Sequence, residues 1–240
     1  MCSSDLDSFR WVKGEDRIIR YESSPAVFRN SCATCGSTLP MVDADWSHVP
    51  AGLLNDDCGL KPTAHVFVGS KLGGYTITDE VPQFDPLPPE AEITPLEDLA
   101  RGRTQGVLSG SCLCGDVTFV IDGQPSMAMN CHCARCRKSR GAAHGTNLFV
   151  EPAALRFLTG EDQLTHYHVP DAERFGTTFC NRCGSQMPSL WPNMQHVLVP
   201  AGVMDDDVDV TPRAHIFVGD RAPWFEITDE LPQFETFPPR

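Results

Sequence analysis

Short runs in which apolar residues alternate with polar ones, or stand together for four or five positions, recur through the second half of the chain. They fall at residues 116–121 (DVTFVI), 147–150 (NLFV), 155–158 (LRFL), 163–169 (QLTHYHV), 196–200 (HVLVP) and 215–218 (HIFV). Period-two patterning rich in β-branched and aromatic residues predicts strands. Turn-forming pairs, Asp122-Gly123, Thr159-Gly160 and Cys183-Gly184, separate the runs, and no long stretch carries the helical period. The pattern predicts a mainly β, mainly antiparallel domain.

The pattern also repeats. PTAHVFVG (62–69) returns as PRAHIFVG (212–219), and ITDEVPQF (77–84) returns as ITDELPQF (227–234). Upstream, SCATCGSTLP (31–40) matches FCNRCGSQMP (179–188), and RWVKGEDRI (10–18) matches RFLTGEDQL (156–164). Self-similarity of this extent reads as two homologous modules, and the first match begins about ten residues into the chain. The expected organisation is a module at 1–85 holding the later half only, a proline- and acid-rich linker at 86–106 with a short helix at 96–100, and a complete module at 107–240. MCSSDL (1–6) reads either as the translated end of a sequencing adapter joined to a truncated gene, in which case it has no functional meaning, or as an ordinary polar N terminus.

With 240 residues, 41% of them hydrophobic, the chain is long enough for one large domain or two small ones. No apolar run approaches the roughly 18 residues of a membrane helix, so a soluble protein is expected. The net charge of −13 opposes association with nucleic acid or anionic membrane, which repel an acidic surface. The chain has 11 cysteines, an odd number, and lacks the start of a signal peptide, so disulfides are the weaker reading and reduced thiols in the cytoplasm the stronger.

Seven of those cysteines stand in the second module as a CxC (Cys112, Cys114), a CxCxxC (Cys131, Cys133, Cys136) and a CxxC (Cys180, Cys183). Closed zinc sites take four ligands from paired motifs, and thiolates suit Zn²⁺. If Cys112, Cys114, Cys180 and Cys183 share one ion, then Cys131, Cys133 and Cys136 form a three-ligand site with an open position, as catalytic zinc needs. The first module retains only Cys32 and Cys35 of this set; Cys2 and Cys58 have no counterpart. No zinc is expected at Cys32 and Cys35.

The segments GSCLCGDVTF (110–119), CHCARCRKSRGAAHG (131–145) and TFCNRCGSQMP (178–188) resemble the glutathione-dependent formaldehyde-activating enzyme family, which includes centromere protein V-like zinc domains. The resemblance spans nearly all of 107–240, and residues 9–85 resemble only the later half of the domain. It implies a zinc-stapled β-tent fold preceded by a truncated copy of itself. It further implies two Zn²⁺ per chain, structural at Cys112, Cys114, Cys180 and Cys183 and catalytic at Cys131, Cys133 and Cys136. The implied activity is a carbon–sulfur lyase reaction joining glutathione and formaldehyde into S-hydroxymethylglutathione; a non-catalytic zinc-stabilised binding module is the alternative. The expected partners are a small-molecule thiol and an aldehyde, with no nucleic acid or membrane, and the chain could form a homo-oligomer.

Three thiolates leave a zinc complex at net −1, a weak Lewis acid that favours a soft thiol. Beside the triplet, Arg135, Arg137, Lys138 and Arg140 are four of 19 basic side chains within six residues, either a grip for the carboxylates of glutathione or a solvated loop. His132 and His144 are the nearest candidates for proton transfer or a fourth ligand. His215, repeated as His65, reads as structural, as do Asp229 and Glu230 in a closing segment. Trp191, Trp224 and Phe225 read as packing residues before pocket residues.

Overall fold

The computed structural model describes residues 2–5, 9–42, 46–73, 75–89, 107–173, 175–190 and 195–239. The linker helix expected at 96–100 and Trp191 lie outside them.

The second region is built on a five-stranded sheet in the order β14-β10-β9-β15-β16. Its strands are β9 (Met127–Cys131), β10 (Gly145–Val150), β14 (Val197–Pro200), β15 (Pro212–Ile216) and β16 (Gln233–Phe234). A three-stranded sheet, β7 (Leu108–Ser111), β8 (Thr118–Ile121) and β11 (Leu155–Thr159), packs nearby in the order β11-β8-β7. β12 (Leu164–His168) and β13 (Gly176–Cys180) form a hairpin. Phe119, Ile121, Leu148, Val150, Phe179, Val197 and Val199 are fully buried between these layers. They are the inward members of the alternating runs, so the period-two pattern and the core coincide.

Several features depart from the sequence reading. β15 runs parallel to both β9 and β16, so the main sheet is mixed; a parallel pair needs a long crossover, and here about 80 residues of chain lie between β9 and β15. Among the described residues one α-helix, α1 (Ala134–Arg140), begins within the CxCxxC segment and runs beyond it. At seven residues it is too short to display a helical period, which is why the pattern missed it. β7 (LSGS) and β9 (MAMNC) were also unexpected, because neither is rich in strand-favouring residues; burial on both sides makes them strands.

The first region contains β2 (Ile18–Ser24), β3 (Val27–Cys32) and β4 (Thr38–Leu39) in one sheet, and β1 (Cys2–Asp5), β5 (Met41–Val42) and β6 (Trp46–Val49) in another, ordered β1-β6-β5. Among the described residues, every fully buried apolar side chain lies between Leu108 and Ala222. Tyr21 and Leu72 of the first region pack onto the second region's core. Arg137 of α1, itself buried, donates to the carbonyl of Gly52, and the Gly52 amide donates to the carbonyl of Gly141 at the end of the helix.

Candidate metal centres and the histidine chain

Cys112 and Cys114 flank the tight turn that leaves β7, where Gly115 adopts a left-handed φ of 81° and donates its amide to the carbonyl of Cys112. Cys180 ends β13, and Gly184, with φ 74°, closes the matching turn by donating to the Cys180 carbonyl. All four sulfurs lie within 4.8 Å of one another, with 3.3 Å between Cys112 and Cys114 and 3.7 Å between Cys114 and Cys180. Tetrahedral zinc with bonds of about 2.3 Å sets its sulfurs about 3.8 Å apart, so the cluster fits that ion. The Val117 amide donates to Cys112 Sγ at 3.3 Å. Hydrogen bonds from Cys112 and Cys180 lower the thiol pKa of Cys183, while that of Cys180 is raised. Four close sulfurs thus gather negative charge on one atom, a charge that a cation would spread over all four.

The second cluster sits at the junction of β9 and α1. Cys131 ends the strand, Cys133 caps the helix by accepting from the Cys136 amide at 3.4 Å, and Cys136 lies in the first turn; the three sulfurs lie within 4.8 Å of one another. Hydrogen bonds from Cys131 and Cys136 hold Cys133 down at about 2, and the same bonds push Cys131 up. The helix N-terminus adds partial positive charge at the cap. Both clusters can hold a metal ion; neither draws a sulfur from the first region.

Beside the triplet lies a group of side chains that the sequence reading treated separately. Asp229 accepts from His215 Nε2, at 3.0 and 3.1 Å to its two oxygens, and His215 Nδ1 meets His132 Nε2 at 2.7 Å. His132 has no exposed surface and His215 is 2% exposed. Burial, followed by the charges of His144 and His215, pushes His132 down to about 3, so the ring is neutral. The contact with His215 uses His132 Nε2 and leaves His132 Nδ1 buried and without a partner. His144 stands 5.1 Å from His132, centroid to centroid, with Phe225 against both rings. Burial also pushes His144 down, to about 4. Neither imidazole joins the sulfurs tightly enough to count with either cluster.

His215 and Asp229 were read as structural, yet they connect directly to His132. A signal was present: His and Asp stand 14 residues apart in both copies, and His65 Nε2 meets Asp79 in the same way at 2.9 and 3.1 Å. Trp224 contacts Phe225 edge to face.

The basic residues separate. Arg135 is exposed and reaches over the Phe175 ring at 5.9 Å; Arg137 is buried, with donors on the carbonyls of Asp220 and Gly52. Lys138 is half-buried. Arg140 donates to Ser139 Oγ and Asn147 Oδ1, and it lies so close over Gly145 that a Cβ there would approach its side chain to 3.2 Å.

Residues 107–220 match the family described as glutathione-dependent formaldehyde-activating enzyme. Among solved structures, a Rhodobacter sphaeroides protein is 24% identical, covering 52% of this chain and 98% of its own, with a TM-score of 0.34. No curated protein matches the chain. No helix among the described residues is long and apolar enough to cross a membrane.

Proposed function

Residues 107–220 belong to the glutathione-dependent formaldehyde-activating enzyme family, and on that premise we propose that this chain is a zinc-dependent carbon–sulfur lyase-type enzyme. It acts on glutathione and formaldehyde, or on a related thiol–aldehyde adduct. One observation carries the reading: three sulfurs, Cys131, Cys133 and Cys136, converge apart from the four-sulfur cluster. Three protein ligands at one ion are the mark of a site that leaves a position for substrate. Zinc held there would supply a soft, weakly Lewis-acidic centre with affinity for a thiolate. Cys112, Cys114, Cys180 and Cys183 would hold a second, structural ion.

In the proposed reaction a carbon–sulfur bond forms between the thiol and the aldehyde carbon, and the thiol proton passes to the aldehyde oxygen. The chain's own residues contribute placement and charge. Arg135 and Lys138 lie on the helix that carries Cys136 and offer cations to the carboxylates of a glutathione-like thiol. Arg137 is committed to carbonyls and holds that helix in place. His132, next in sequence to two of the three sulfurs, is fully buried and joined to the His215–Asp229 pair, and it holds the cysteine-bearing segment in position.

The test is exchange spectroscopy by NMR on a mixture of glutathione and formaldehyde, with protein loaded to two zinc ions per chain. The expected result is exchange faster than the spontaneous reaction, lost in Cys131→Ser while the fold persists. Exchange at the spontaneous rate with full zinc loading would refute the proposal.

A further inference from the structure

A cavity of about 620 Å³ lies between the two regions and shares no cysteine with the three-sulfur cluster. The first region supplies Arg29, Asn30, Ser31, Lys71 and Leu72; the second supplies Leu113, Arg140, Leu148, Val203 and Val210 among others. We propose that this cavity binds a small organic carboxylate that has an apolar body.

Size and chemistry both support the assignment. Volumes of about 300–1,000 Å³, mostly apolar and with a few placed polar groups, are those of small-molecule sites. Leu72, Leu113, Val203 and Val210 form an apolar wall packed onto the second region's core, and Leu148 is itself part of that core. Three cations, Arg29, Lys71 and Arg140, line the cavity and no carboxylate does, on a chain with 32 acidic and 19 basic residues; Cys183 of the four-sulfur cluster also lies on its wall. That segregation makes the cavity attractive to an anion on a protein whose surface otherwise repels one.

Arg140 Nε, Asn30 Oδ1 and Ser31 Oγ, on residues that line the cavity, are buried without a hydrogen-bond partner; with no accessible surface they lie behind the wall, and recognition falls to the cations and the apolar side chains. Arg140 stands one helical turn beyond Cys136, so the anion would sit on the far end of the helix that begins at the three-sulfur cluster.

The experiment is calorimetric titration of the full zinc-loaded chain with N-octanoylglycinate, which has the apolar body and the carboxylate. Saturable binding at one equivalent is expected. N-octanoylglycinamide, which lacks the charge, should bind about tenfold more weakly, the loss that follows from removing one charge-assisted hydrogen bond. The variant Arg29→Ala/Lys71→Ala changes two exposed residues, so zinc content and melting should be unchanged while affinity falls by a further about tenfold and loses its salt dependence. Absence of saturable heat at millimolar N-octanoylglycinate, or binding that ignores both the missing carboxylate and the double substitution, would overturn the proposal. The readout is binding alone, so it stands or falls separately from turnover of glutathione and formaldehyde.

Discussion

The CxxCGS turn occurs twice with one geometry and two outcomes. At residues 32–37 the Gly36 amide donates to the Cys32 carbonyl at 2.8 Å, Gly36 has φ 67°, and Cys35 Sγ bonds Ser37 Oγ at 3.2 Å. At residues 180–185 the corresponding values are 2.9 Å, φ 74° and 3.3 Å. The turn therefore needs only its own residues: glycine for the left-handed position and serine for the sulfur. A four-sulfur cluster needs more, because β7 must deliver Cys112 and Cys114 from about 70 residues away, and among the described residues of the first region no strand brings a second cysteine pair to Cys32 and Cys35. The same contrast holds for packing. The second region carries the buried apolar side chains, while the first displays Val66 and Phe67 at 45% and 36% exposure where the repeated Ile216 is buried. Local sequence can repeat a turn; only the complete set of strands produces a core and a metal site.

Three experiments would break or sharpen this contrast. The largest effect is expected from cysteine. Cys180→Ser should unfold the second region and release the zinc it holds, since structural zinc contributes on the order of 10–16 kcal/mol against about 5–15 for a whole domain. Cys32→Ser should leave zinc content unchanged. Metal analysis with circular dichroism reads both, and loss of zinc on the Cys32 substitution would show that the two turns are equivalent after all.

Acid should act next, and on the second region. His144 is held at about 4 against an ordinary 6.5 for histidine, so below pH 6.5 the unfolded chain takes up a proton that the folded one refuses. Stability is then complete above about pH 6.5 and falls as pH drops toward 4, by about 3 kcal/mol when the shift is converted at 1.36 kcal/mol per unit. Urea melts of zinc-loaded protein across that window should show the slope, reduced in His144→Gln; an equal slope in the variant would assign it elsewhere.

The smallest difference concerns the two His–Asp pairs. Asp229→Asn should cost about 1–3 kcal/mol, because His215 is buried and its bond cannot be replaced by water. Asp79→Asn should stay within about 0.5 kcal/mol, the usual range for surface positions, since His65 and Asp79 are 24% and 32% exposed. Equal melting shifts would mean that the exposed pair is as structural as the buried one.

Much of this could be read in the sequence, because ligand spacing and period-two patterning are local. The seven cysteines fall into the clusters that the spacing suggested, and the exposed positions of β12, His166 and His168, follow the alternation. What was not legible depended on contacts across long separations. β9 reads as MAMNC, yet it lies at the centre of the main sheet because β10 and β15 flank it. His132 and His215 are 83 residues apart and meet at 2.7 Å. Arg137 looked like its basic neighbours, and only the approach of Gly52 removed it from solvent. The shared cavity required both regions at once.

The boundary between the regions has a further meaning. A Cβ on Gly36 would strike Phe179, and one on Gly184 would strike Ser31, the residue that corresponds to Phe179 in the repeat; Thr78 bonds its own counterpart, Thr228. Reciprocal contact between equivalent positions is the signature of a two-fold pairing. When two identical chains pair in this way, each amino-acid change occurs twice, so neither face can vary alone. Within a single polypeptide each change occurs once. Serine can stand on one side where phenylalanine stands on the other, and a pairing surface gains the freedom to become lopsided.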